Sequence, residues 1–244
     1  MSKPIWISHR GVRDSGFTEN SLSAFQLAVS QGFTWLETDL RLTRDKEIVL
    51  FHDKNLKRLF AKDLQVSSCT REELEKLKYP CGQGVLFLDK FMLEFAQLRW
   101  VFDVKIETAQ AALASLRQLL NQSNNGLEFE KKISFLLWSK EDDELARRLF
   151  PNAQFFARDD ECWRAGLAVL FGLSFLAGIK GNKSYALPPR LKRIPLFGLR
   201  IFRAYHKKNA RVIAYLPSRA EDAQAAVEAG ADYILADRLF LDHC

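Results

Sequence analysis

Four short polar clusters hold the chemistry open to this chain: His9-Arg10-Gly11, Glu37-x-Asp39, His52-Asp53 and Asp103-x-Lys105. Residues two apart on an extended segment point to one face, so Glu37 and Asp39 can aim together, as can Asp103 and Lys105. Three carboxylates around one point favour a hard cation held by oxygen, Mg2+ or Ca2+. Two histidines beside such an ion suit acid–base catalysis, because imidazole changes charge near neutrality. Arg10 and Lys105 could hold the charge of a phosphate. Each cluster is weak alone. A Glu-x-Asp pair is commonly a solvated strand face, a His-Asp pair a turn, and an Asp-x-Lys pair a surface ion pair. Their joint occurrence, each at the end of a predicted strand, is what points to one site.

The elements that must position these groups follow from hydrophobic patterning. Short β-branched or aromatic runs alternate with helical patterns, as parallel βα units do. The candidate strands are Ile5–Ser8, Trp35–Asp39, Trp100–Lys105, Lys132–Leu137, Gln154–Ala157, Ser184–Leu187, Arg211–Tyr215 and Tyr233–Ala236. Helices are predicted near 21–31, 89–98, 107–121, 140–149, 160–177, 198–209 and 219–229. Asn20 or Ser21 opens the first, and Ser218 with Glu221 has capping-box spacing before the last. Eight such strands in 244 residues predict an α/β fold, a (β/α)8 TIM barrel, in which C-terminal strand ends share one mouth. One interval breaks the alternation. Asp45-Lys46 reads as a turn, Ile48–Phe51 as an extra strand folding back beside the second, and 54–87 as a small insertion with a short helix near 71–77. Residues 1–244 read as a single domain, without internal repeat or Pro-, Gly- or Ser-rich linker.

An apolar share of 48% and a charged share of 27% suit a chain that buries a sizeable core. Cys69, Cys81, Cys162 and Cys244 lack the close paired spacing of zinc sites and read as free thiols in a reducing compartment. The start is too short for the apolar core of an export signal, and the longest apolar run, Ala165–Ile179, falls short of the ~20 residues of a spanning helix. A cytoplasmic protein is expected, soluble or peripheral on the inner membrane face. From Cys162 to Ala220 there are twelve Lys and Arg and no Asp or Glu, within a net charge of +6. That asymmetry calls for an anionic partner. No nucleic-acid-binding module accompanies it, so nucleic acid is not expected, and an anionic membrane surface met through 163–211 is the candidate. Ala165–Ile179 is apolar on every side. It reads either as a helix packed between the barrel and a loop, or as an interfacial segment flanked by Trp163, Lys180, Lys183, Arg190, Lys192 and Arg193.

In order and approximate spacing, His9-Arg10-Gly11, Glu19-Asn20-Ser21, Glu37-x-Asp39, Thr43-Arg44-Asp45 and His52-Asp53 resemble the N-terminal signature of the glycerophosphodiester phosphodiesterases. Asp103 and Lys105 look like that family's third-strand motif. Ala229-Gly230-Ala231-Asp232-Tyr233-Ile234 with Ala236-Asp237-Arg238 is similar to its last strand. The likeness is weakest from about 60 to 90 and from 158 to 183. It implies His9 and His52 as the acid–base pair, and Glu37, Asp39 and Asp103 as ligands of one divalent cation. Arg10 and Lys105 would grip the phosphate, and Glu19 would brace the cationic side. Thr18 stands for a usual Pro, and Asp103 for a usual, longer Glu. Tyr215 stands for a common Trp, beside the glycerol or alcohol moiety of the substrate. The implied reaction is metal-dependent hydrolysis of a small-molecule glycerophosphodiester to sn-glycerol 3-phosphate and an alcohol. The alternative is a membrane-surface lysophospholipase D-like enzyme acting on lysophospholipids. A binding protein on a degenerate barrel is opposed by the intact His9, His52, Glu37 and Asp39 set.

Overall fold

A computed structural model describes residues 3–12, 16–80 and 82–240, so Cys81 and Cys244 lie outside the described residues. In chain order the strands are β1 (Ile5–His9), β2 (Trp35–Leu42), β3 (Ile48–Leu50), β4 (Arg99–Val104), β5 (Ile133–Leu136), β6 (Gln154–Phe155), β7 (Ser184–Leu187), β8 (Arg190–Leu191), β9 (Ile194–Pro195), β10 (Arg211–Tyr215) and β11 (Tyr233–Ala236). Eight of them, all but β3, β8 and β9, are the barrel strands predicted from sequence, β3 is the extra strand expected over Ile48–Phe51, and the fold is a (β/α)8 barrel. The chain divides into two compact units, 9–154 and 1–8 with 155–244.

In the unit 9–154, β2, β4 and β5 run parallel, and β2 is buried along its whole length. β3 folds back antiparallel on the end of β2 alone, pairing Leu40 with Leu50 and Leu42 with Ile48. The β2–β4 register sets Asp39 directly across from Asp103. Helix 109–122 buries Ala109, Ala112, Leu113, Leu116 and Leu120, the spacing of one apolar stripe. Helix 140–149 opens on Ser139, whose side chain accepts the Asp142 N–H, and carries acids in its first turn and Arg147 and Arg148 in its last. Phe25, Phe91, Phe102, Phe135 and Trp100 fill the space between helices and strands in tilted and edge-on pairs. The excursion 54–87 holds the expected short helix at 71–75 and an unforeseen turn of helix at 57–60, too short for any periodicity to announce. Val66, Leu74, Tyr79 and Phe87 join Val49 and Phe51 in an apolar cluster of its own.

In the other unit, β7, β10, β11 and β1 pair in parallel in that order. Tyr185, Phe202, Tyr205, Val212 and Ile234 lie at its core. Three expectations need correction here. The helix predicted over 160–177 spans Asp159–Leu170. Gly172 takes a left-handed φ of 76° and ends it, its N–H bonding Val169 O at 3.1 Å while Leu173 N–H bonds Ala168 O at 2.7 Å. This paired closure satisfies the last carbonyls and favours glycine. The last helix is preceded by Arg219 rather than Ser218, and no side chain caps it. Lys183 is buried against Glu161 at 2.5 Å and adds nothing to the basic surface. The β8–β9 hairpin, two residues a side around Lys192 in the left-handed region, was also unannounced. Cys69 and Cys162 are free thiols, and burial pushes Cys162 up to about 12, leaving it protonated and inert. Among the described residues no helix is long and apolar enough to cross a membrane.

Candidate active site

Every predicted site residue except Tyr215 falls in the unit 9–154; Tyr215, part exposed, ends β10 in the other. His9 closes β1 and is buried. Arg10 then turns left-handed at φ 57°, and its N–H meets both Glu37 O at 3.0 Å and Glu37 Oε2 at 3.1 Å. Gly11 follows at φ 79°, where an added Cβ would lie 2.6 Å from the Ala24 carbonyl carbon. The triplet is thus a backbone device, since only glycine lets the chain pass the helix while Arg10 faces the cluster. Gly11→Ala should lower stability by roughly 2–4 kcal/mol, left-handed strain plus overpacking, read as a fall in thermal midpoint. A melt matching wild type would mean that the helix at Ala24 yields freely.

Asp39 is fully buried at the centre. Its Oδ2 accepts from Asn20 Nδ2 at 2.8 Å and lies 3.0 Å from Arg10 Nε, while Oδ1 lies 2.7 Å from Lys105 Nζ. Lys105 also reaches Asp103 Oδ2 at 2.5 Å, and Trp138 Nε1 donates to Asp103 Oδ1 at 2.7 Å. Glu37, Asp39 and Asp103 each present an oxygen within 4.8 Å of the others. Burial and then the neighbouring Asp39 and Asp103 raise the Glu37 carboxyl well above the usual carboxylate range, against Arg10 and Lys105. Burial also raises Asp39, but Lys105 and Arg10 outweigh it and hold that carboxyl low. The Asp103 carboxyl is raised, chiefly by burial, against the pull of Lys105.

The second face is a chain of ion pairs. His52 Nδ1 lies 2.8 Å from Asp53 Oδ1, and Arg58 joins Asp53 Oδ2 at 2.6 Å to Glu19 Oε1 at 2.5 Å. Glu19 Oε1 in turn lies 3.7 Å from Arg10 Nη1. Buried Arg41 donates twice to the His52 carbonyl, at 2.9 and 2.7 Å, and fixes the backbone there. Asn20, Arg41, Arg58 and Trp138 were not read from sequence as parts of the site. Trp138 follows β5 at the strand end where such groups gather, a legible signal; Arg58 sits in the excursion with no pattern to mark it.

The sequence pattern of the glycerophosphoryl diester phosphodiesterase family matches residues 9–169, the span that holds all these groups. The chain belongs to this family. A Mycobacterium tuberculosis relative named probable glycerophosphodiester phosphodiesterase 2 is 24% identical over 96% of this chain and 87% of its own length. A lysophospholipase D of Rattus norvegicus is 43% identical over 81 residues, 33% of this chain and 25% of that protein. An Oleispira antarctica phosphodiesterase, solved with the product sn-glycerol-3-phosphate, shares the fold at TM-score 0.73 and 20% identity, over 96% of this chain and 93% of its own. As a member of this family, the chain is a phosphoric diester hydrolase.

The donor set fits a divalent cation. Ionised, three carboxylates against Arg10 and Lys105 leave one negative charge, which a divalent ion would turn to one positive, opposite to a phosphodiester. Buried carboxylates this close repel unless cations gather among them. All-oxygen donors suit a hard ion.

Proposed function

We propose that the enzyme hydrolyses glycerophosphodiesters to sn-glycerol 3-phosphate and an alcohol, with His9 and His52 as its acid–base pair. One divalent cation, Mg2+ or Ca2+, would be held by Glu37, Asp39 and Asp103. The observation that carries this reading is the meeting of three buried carboxylates with Arg10 and Lys105 at one point. When bound, the ion supplies positive charge against the phosphoryl oxygens. Arg10 and Lys105 hold the remaining phosphate charge, and Glu19, through Arg58, keeps the cationic side in place. His52, with Nδ1 engaged by Asp53, presents Nε2 to move a proton at the phosphoryl centre. One histidine removes the proton of water while the other delivers one to the leaving alcohol. Residues 1–244 are read as one catalytic domain with 54–87 as its insertion.

A second reading, a membrane-surface lysophospholipase D-like enzyme, draws support from the exposed apolar side chains at 171–176 and from the basic run after them. It would place the protein peripherally on an anionic membrane face. Purified enzyme given glycerophosphocholine and lysophosphatidylcholine, with Mg2+ and Ca2+ in turn, separates the two. Release of sn-glycerol 3-phosphate from the first is the expected result; turnover of the second alone would favour the lipid reading, and turnover of neither would end both. Lys105→Met should lower kcat/KM by about 10²-fold or more, because a charge aimed at the transition state is lost. Unchanged kcat/KM would remove Lys105 from phosphate binding.

A further inference from the structure

Outside the catalytic cluster, large exposed apolar side chains gather on one short stretch. Trp163 and Leu167 stand half exposed on helix 159–170, Phe171 ends it at 74% exposure, and Phe175 and Leu176 follow at 74% and 61%. The turn that carries them is held in place. Gly172 and Leu173 close the helix, Leu176 N–H bonds Leu173 O at 2.8 Å, and fully buried Ala177 anchors the far side. The rings therefore point outward from a fixed backbone. Such a group on a soluble surface marks an interaction site.

Charge identifies the occupant. The apolar turn lies within the 59 residues, 162–220, that contain twelve Lys and Arg and no acid. Arg164 flanks it closely: its guanidinium lies 3.2 Å from where a Cβ on Gly178 would stand, and Lys180 is exposed just beyond. A second copy of the chain meeting this one through the same surface would bring like charges together. An anionic bilayer offers what both features need, apolar depth for the rings and phosphate for the cations. Trp163, part apolar and part polar, suits the boundary between them.

We propose that Phe171, Phe175 and Leu176 form a wedge that enters the interface of an anionic bilayer while Arg164 and Lys180 meet its headgroups. The wedge rests on the peripheral-membrane reading above and names the device that achieves it.

Flotation of the full chain tests this, with vesicles of phosphatidylcholine alone and of phosphatidylcholine with phosphatidylglycerol. Wild type should float with the anionic vesicles at low salt and be released as salt rises. Phe171→Ser with Phe175→Ser should cut the bound fraction at least about tenfold, with thermal midpoint and glycerophosphocholine turnover unchanged, because both rings are exposed. Arg164→Glu with Lys180→Glu should weaken binding to anionic vesicles alone. Equal flotation by the double-serine variant would overturn the wedge while leaving membrane attachment through the basic run. No flotation by wild type would overturn the membrane reading and the wedge with it. A melt lowered by more than about 5 °C in the serine variant would show that the rings are covered and overturn the wedge. A wild-type dimer in light scattering that the serine variant turns to monomer would assign the surface to a second copy instead.

Discussion

Asp39→Asn should reduce phosphodiester hydrolysis by more than about 10²-fold while leaving the thermal midpoint within a few degrees of wild type. Partners of metal ligands commonly cost 10- to 100-fold when removed, so a ligand carboxylate should cost more. The fold should tolerate the change because the amide has the same shape, and because Glu37 can take over the lost charge. Burial raises the Glu37 carboxyl first, and Asp39 adds the next largest push. With Asp39 neutral, Glu37 ionises more readily and still faces Arg10 and Lys105. Chelator treatment of wild type should have the same effect on turnover, reversed by adding back Mg2+ or Ca2+. Elemental analysis should find the variant depleted in bound ion. Full activity in chelated protein that contains no metal would remove the cation from the reaction.

His9→Ala and His52→Ala should each lower kcat by at least ~10²-fold on a natural alcohol leaving group, the usual scale for proton transfer. The two can be told apart with a p-nitrophenyl diester. Loss of the histidine that protonates the leaving group should then matter little, whereas loss of the one that activates water should still be felt. A variant with near wild-type rates on the poor leaving group would assign that histidine a structural role. Asp53→Asn should act more mildly, because it leaves His52 in place and loosens only the contacts of Asp53 with the His52 ring at 2.8 Å and with Arg58 at 2.6 Å.

Strand alternation made the fold legible, and parity along the strands made the carboxylates legible. Glu37 and Asp39 share a face because they are two apart, and a parallel register of β2 with β4 then brings Asp103 opposite Asp39. The partners that hold them were hidden, because sequence spacing says nothing about contacts between distant segments. Asn20 read as a helix opener, yet it takes a left-handed φ of 56°, donates to Asp39 and accepts from Thr38 at 2.8 Å; Ser21 caps the helix. Arg58 acts across 39 residues on Glu19. At the end of helix 159–170 the signal was present and outweighed. Gly172 is a helix stop, but the unbroken apolar run around it suggested continuation, and the residues beyond it are exposed instead.

The strand that precedes the excursion 54–87 meets its far end. Val49 bridges Phe87, and Leu50 N–H bonds Leu86 O at 2.9 Å, so the chain leaves β3 and returns to it through one narrow neck. Beyond that neck the segment shares an apolar cluster with Val49 and Phe51, Arg71 ties it to Glu47 and Asp89, and Arg58 reaches back to Asp53 and Glu19. A loop closed at its base can change length at little entropic cost, about 0.6 kcal/mol for each doubling. A change of length in this region would therefore reach the site through Arg58, while the carboxylates on β2 and β4 stay where the barrel strands hold them.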